Sequence, residues 1–233
     1  MRRMATAGAV LGAGLLLTGC GLDGVGGPAK EDVVGYDVKG AVTALEVKTG
    51  AGDIVVNESD RTGLRVTETL HWRGDARPET EHPVDGAKLT LGYACPDRFG
   101  FGECWVDYKV EVPRGLDVDV DTGSGRLTLR SISGTLVAST GSGDIEAGGL
   151  AVKRVVAETG SGTVDLGFSA APDDARVETG SGDATVRLPQ GAYAVTAESG
   201  AGDERIEVTD DDSAPRKVDV STGSGDANVL KNQ

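Results

Sequence analysis

The chain is short of basic residues, aromatics, histidine and cysteine, and it has almost no long apolar run. Its 233 residues carry 23 Lys and Arg against 37 Asp and Glu, a formal net charge of −14. Nucleic-acid binding draws its affinity from neutralised phosphates, so this balance argues against a nucleic-acid partner. It argues equally against simple attraction to anionic lipid or teichoic-type polymers, and implies a solvated, repulsive surface. The two histidines, His71 and His82, show no metal-ligand spacing, and no G-x-S-x-G elbow occurs. With no catalytic constellation in view, the expectation is a protein that is not an enzyme.

The one apolar run of note is Ala9 to Leu17, too short to span a bilayer and preceded by Arg2 and Arg3. It ends in Leu17-Thr18-Gly19-Cys20, which looks like a bacterial lipobox. An ordinary leader with a chance cysteine is the competing reading. Small residues before Cys20 and the abrupt change to Gly-rich sequence favour lipidation. The expectation is therefore a signal peptide over 1–19, an acylated Cys20, a flexible tether over 20–32 and a lipid anchor in the cell membrane on its extracytoplasmic face. Each buried acyl CH₂ contributes ~0.8 kcal/mol to such an anchor. Outside the cytoplasm the other two cysteines, Cys95 and Cys104, are expected to form a disulfide. Closing so short a loop is worth ~2–3 kcal/mol in the chain-entropy model.

What the chain has in abundance is glycine, 36 residues, much of it in one phrase. Thr-Gly-Ser-Gly or a near variant begins at Thr49, Thr122, Thr140, Thr159, Thr179, Ser199 and Thr222. After the first gap the spacings are 18, 19, 20, 20 and 23 residues, which marks one stacked structural unit. Apolar residues alternate on both sides of the phrase. Before it stand Val118 and Val120, Leu136 and Ala138, Val155 and Ala157; after it stand Leu127 and Leu129, Ile145 and Ala147, Val164 and Leu166. Period-2 alternation around a Gly-rich bend predicts strand, tight turn, strand. The intervals are too short for βαβ crossovers, so successive coils are expected to stack in parallel register.

The fold class that follows is all-β: a parallel β-solenoid of about six to seven two-stranded coils with an N-terminal antiparallel strand cap. Residues 33–112 are assigned to the first coil, the capping strands and the cysteine loop, and 113–233 to the solenoid repeats, as one continuous domain. Glu204 stands in an apolar column, where a local bulge turning it outward is preferred to a buried acid paired with Arg205. Nothing comparable to the N-terminal cap follows Val229, so the C-terminal edge is expected to be open to self-association.

The stretch Tyr108-Lys109-Val110-Glu111-Val112-Pro113-Arg114-Gly115, then Val118 to Leu129 and the successive Thr-Gly-Ser-Gly-Asp-Ile-like turns carry a resemblance. In them the chain resembles a bacterial family of β-strand-repeat proteins of unknown function, commonly labelled putative adhesins. The resemblance spans about Val42 to Val229. It implies the repeat architecture and a noncatalytic adhesion, envelope-interaction or scaffold role, with no family catalytic residues to carry over.

Two candidate sites compete with plain structural readings. Asp144, Asp183, Asp203 and Asp226 follow the second turn glycine and form a column in which a Ca²⁺ ion could relieve repulsion between coils. Asp is also an ordinary turn residue, and Arg126 and Thr163 interrupt the column, which favours the structural reading. Asp210-Asp211-Asp212 is expected to be solvated connector charge. The other candidate is aromatic: of nine aromatics, six cluster between Trp72 and Tyr108. A disulfide-held tip presenting Phe99 and Phe101 beside Trp105 would suit an envelope protein or a glycan. A calcium-dependent binding roll, or a polysaccharide-acting β-helix enzyme, is the alternative function.

Overall fold

The computed structural model describes residues 28–75, 77–96 and 104–232. No helix occurs among them, and the repeats form two facing, mostly parallel sheets. The residues before each turn build one sheet and those after it build the other, so each Thr-Gly-Ser-Gly phrase is a corner of the prism. The all-β solenoid read from the repeats is the fold observed.

Register is set by the apolar columns. Leu136 pairs with Val118 on one side and Val155 on the other, and Ala138 with Val120 and Ala157. In the opposite sheet Ile145 lies between Leu127 and Val164. These residues are buried almost completely. A slip of one residue would turn each column to solvent, which fixes the pairing. Burying each Val or Leu stabilises the stack by ~1.5–3 kcal/mol.

The turn column adds a polar ladder. Thr159 Oγ donates to the carbonyl of Gly143 at 3.0 Å, Thr179 to Gly162 at 2.9 Å and Thr222 to Gly182 at 2.9 Å. Each hydroxyl thus satisfies a carbonyl of the neighbouring coil, while the Thr itself is buried. Glycine is required at this corner chiefly by close approach. A Cβ on Gly143 would lie 2.0 Å from the carbonyl oxygen of Gly125 in the coil beneath.

The order of coils departs from the order of the sequence. Lys217–Thr222 and Ala227–Lys231 pair with Asp174–Thr179 and Ala184–Leu188 on one side. On the other side they pair with Ala192–Ser199 and Glu204–Ile206. The last coil of the chain is therefore inserted, and coil 192–206 ends the stack. This corrects the expectation that the strand at Val229 forms the open edge. It also explains Glu204, which is exposed because its strand is the edge of its sheet. Neither a bulge nor burial is involved. Arg205 pairs with Glu207, not with Glu204.

The connector to the inserted coil crosses the outer edge of coil 192–206. Thr209–Asp210 pairs with Ala192 and Tyr193, and Asp210 Oδ1 accepts the backbone N–H of Val195 at 3.1 Å. Glu204 Oε1 accepts that of Ser199 at 3.0 Å. Two carboxylates thus occupy edge donors that would otherwise recruit another strand. Asp211 turns back on its own connector, accepting from the backbone N–H and hydroxyl of Ser213. The acidic connector is edge protection rather than simple solvated charge.

At the other end the sheets are lengthened unequally. Cys104–Pro113 runs parallel to Ile54–Ser59, and Lys88–Ala94 runs parallel to Ala44–Ala51. Residues 88–96 and 104–113 thus contribute the two strands of one further coil, tied together by a disulfide. Beyond it one sheet adds Leu64–Arg73 and then Ala29–Val38, both antiparallel. The other adds only the short strands Glu79–Glu81 and Val84–Asp85. The expected antiparallel cap is present, outside a wide coil that the repeat phrase does not mark.

This end encloses a buried polar group. Glu68 is 1% exposed and accepts the Tyr36 hydroxyl at 2.6 Å. Tyr108 faces it in register, and its hydroxyl is buried with no hydrogen-bond partner. Burial, reinforced by the Glu68 charge, holds the Tyr108 hydroxyl well above the usual phenol range. Burial and the hydrogen bond to Glu68 do the same for Tyr36. A phenol held neutral in the fold supports stability fully below its unfolded value, about pH 10, and loses that support as pH rises further. Chemical denaturation should therefore show stability falling above about pH 10, by up to ~1.4 kcal/mol per pH unit for Tyr108. Tyr108→Phe should flatten that slope. At neutral pH the same substitution should leave stability unchanged or raise it by ~1 kcal/mol, because it removes an unpartnered buried hydroxyl. An unchanged alkaline slope in the variant would contradict this account.

Candidate contact surface at the N-terminal end

The disulfide expected between Cys95 and Cys104 is present, with Cα atoms 6.1 Å apart. It ties the end of Lys88–Ala94 in one sheet to the start of Cys104–Pro113 in the other. The disulfide therefore joins the two sheets at a coil that lacks the Thr-Gly-Ser-Gly phrase. Cys20, Phe99 and Phe101 lie outside the described residues.

Trp105, the third member of the expected tip, follows Cys104 directly and points to the outer face. Its ring stacks on His71, with centroids 4.7 Å apart and planes inclined by 12°. His71 is held in turn by Asp107, with Nε2 2.9 Å from Oδ2. The other oxygen of Asp107 accepts the backbone N–H of Asp53 at 2.8 Å. One carboxylate thus fixes both the imidazole and the corner of the next coil. Trp72, next along the strand, packs against the buried core, with the Arg77 guanidinium over its ring at 5.6 Å. Lys30, Glu31, His71, Trp72, Arg73 and Trp105 together line an open pocket of ≈260 Å³. Aromatic faces flanked by fixed charged groups can engage both apolar and hydrogen-bonding parts of a partner.

Asp107 and His71 escaped the reading of the sequence because neither stands in a repeat phrase. The signal that was available is register. Asp107 precedes the Tyr-Lys-Val-Glu-Val strand by the same step as Asp53 precedes Ile54, and Tyr108 pairs with Ile54.

The aspartate column has a definite structural task. Asp144 Oδ1 accepts the N–H of Thr163 at 3.0 Å, Asp183 that of Asp226 at 2.9 Å and Asp226 that of Asp203 at 2.9 Å. Each carboxylate closes the corner of the adjacent coil, and Arg126 lies 3.6 Å from Asp144 as a counter-charge. Asp203, on the terminal coil, has no further coil to cap. Among the described residues no group of three or more His, Cys, Asp and Glu side chains is arranged to hold a metal ion.

A larger groove of ≈550 Å³ runs along the opposite corners and is lined by Asp117, Ser133, Lys153, Asp173 and Lys217, among others. Its one hydroxyl of interest, Ser133 Oγ, is engaged by Glu58 at 2.8 Å. His82 packs on Tyr36 of the same cap, with ring centroids 4.8 Å apart. No helix among the described residues is long and apolar enough to cross a membrane.

Parallel coils closed by Thr-Gly-Ser-Gly corners define a β-solenoid module whose distinctive surface is an end rather than a groove. The family model for Toastrack DUF4097 matches residues 38–230, and the chain belongs to that family. Among solved structures it is similar to a "putative cell adhesion protein" from Clostridium sporogenes. That match has 18% identity, 88% coverage of this chain and 100% of the other, and a TM-score of 0.53. It is also similar to a "putative lipid binding protein" from Parabacteroides distasonis, at 13% identity, 87% and 97% coverage and a TM-score of 0.41. A "putative adhesin" from Parabacteroides merdae matches at 10% identity, 89% and 98% coverage and a TM-score of 0.35. No curated protein gives a significant match. At these identities the likeness is one of fold, and the adhesin-family resemblance read from the turns stands.

Proposed function

We propose that this protein is a noncatalytic adhesion or envelope-interaction module, held at the extracytoplasmic face of the membrane by lipid on Cys20. Its partner, an envelope protein or glycan, docks at the aromatic end of the solenoid. The observation that carries the reading is the His71–Trp105 stack braced by Asp107, beside the disulfide. The turn carboxylates Asp144, Asp183 and Asp226 instead join coils. The lipobox-like Leu17-Thr18-Gly19-Cys20 supplies the argument for anchoring.

The test is cross-linking on intact cells followed by pull-down of the tagged chain. Trp105→Ala combined with His71→Ala should lose the captured partner while the protein remains folded by circular dichroism. Capture unchanged in the double variant would remove the aromatic end from consideration. Cys20→Ser should shift the chain from the membrane fraction to the soluble one. Retention of that variant in the membrane would remove the lipid anchor.

A further inference from the structure

The four sheet edges of the molecule are not protected alike. At the C-terminal end, Asp210 and Glu204 occupy N–H groups of Ala192–Ser199, and Thr209–Asp210 covers its start. The edge beside it, Glu204–Ile206, is three residues long, as is Glu79–Glu81 at the other end. The remaining edge is Ala29–Val38, ten residues long. It pairs with Leu64–Arg73 without a bulge along its whole length and has no strand on its outer side among the described residues. It contains no Pro, and Val33 and Val34 are 56% and 37% exposed. A long, regular, partly apolar edge is a template for another strand.

Its charges are already balanced from within. Asp32 pairs with Arg77 at 2.7 Å, and Asp37 with Arg61 at 2.8 Å and Arg65 at 3.2 Å. Lys30 donates to the carbonyl of Gly74 at 2.6 Å. With Glu31, 3.7 Å from His71, as the remaining carboxylate, this flank carries little net charge in a chain of net charge −14, and is the place where a like-charged copy can approach.

We infer that Ala29–Val38 pairs antiparallel with the same strand of a second copy, centred on Val33, joining two solenoids through a continuous sheet. Register decides the centre. Residues directly opposite must share a face, so the two-fold axis passes through a residue rather than between two. Centring on Asp32 opposes Asp32 to itself, and centring on Val34 opposes Glu31 to Asp37. Centring on Val33 opposes Val33 to itself, Glu31 to Gly35, Asp32 to Val34 and Lys30 to Tyr36. No like charges face each other, and residues 29–37 are all paired. Asp32 meets its own copy only on the diagonal, where each is neutralised by Arg77.

The test uses the full chain in detergent. Sedimentation velocity should show a dimer at protein concentrations of about 100 µM, where a micromolar complex is mostly formed. Val33→Cys should give an interchain disulfide under mild oxidation, because opposed Cα atoms in such a pair lie ~4.5–5.5 Å apart. Val34→Cys should not, since its copy lies beyond the ~7 Å that a disulfide can bridge. The unsubstituted chain controls for Cys20. Val33→Lys opposes two ammonium groups at the axis and should weaken the dimer at least about tenfold. Val33 is an exposed position, so that variant should keep the wild-type circular dichroism and melting curve. A monomeric wild type, equal cross-linking of the two cysteine variants, or a Val33→Lys dimer of unchanged strength would each overturn the inference.

Discussion

Gly143→Ala is expected to cost about 3 kcal/mol or more, although it adds one methyl group at a half-buried corner. Overpacking of this kind usually costs ~1–3 kcal/mol because neighbours can shift or side chains can rotate away. Here the neighbour is backbone: the new Cβ would lie 2.0 Å from the Gly125 carbonyl oxygen and 2.8 Å from its carbon. That carbonyl cannot move without disturbing the Thr140 hydroxyl that donates to it at 3.3 Å. Its coil is in turn stacked on coil 44–59, where Gly125 itself would meet Gly52 at 2.0 Å. Strain at one corner therefore spreads along the column. Gly143 is not among the glycines with a left-handed backbone, so the experiment isolates close approach from conformational preference. Gly148→Ala, in the following strand with nothing within 4 Å of its Cβ, should change stability by less than ~0.5 kcal/mol. Urea unfolding of the two variants compares them directly. Equal effects would mean that the corner is looser than the stacking implies.

The same corner shows how far the sequence could be read. The Thr, the glycines and the flanking alternation gave strands, turn and parallel stack together, because every coil repeats the same local solution and register follows from burial. What the repeats could not encode is which coil neighbours which. All seven phrases are interchangeable in register, so Thr222 fits beside Thr179 as well as beside Ser199, and in the structure it lies between them. The signs of an end coil were present in 192–206: Ser for Thr at 199, Glu204 in an apolar column, and an extended spacing of 23 residues to Thr222. Taken one at a time they suggested a local bulge; taken together they mark a coil with one face in water. The contact surface was less legible. Trp105 and the disulfide stood out by scarcity, but the His71–Asp107 brace depends on strands that meet only through antiparallel pairing across the cap.

Removal of residues 216–233 should do more than delete one coil. In a solenoid stacked in sequence order, loss of the last repeat exposes the one before it and leaves that one paired. Here the deleted coil lies between 174–188 and 192–206, so the truncation takes away every coil-to-coil contact that 192–206 makes. The buried residues removed include Val218, Val220 and Val229. At ~1.5–3 kcal/mol each, their loss is on the order of 5–9 kcal/mol, comparable with the whole stability of an ordinary domain. Hydrogen exchange on the truncated chain should accordingly show protection lost throughout 192–215, while the coils from 117 to 168 retain theirs. Protection retained across 192–199 would mean that this coil redocks directly on Asp174–Thr179, its Ser199 taking the place of Thr222. The inserted order would then be a preference of the complete chain rather than a requirement. Loss of protection would instead make the last residues of the chain the ones that lock its far end. Coil 192–206 would then remain unpaired during folding until Lys217–Thr222 slides in beside it, a long-range step of the kind that slows the folding of non-local sheets.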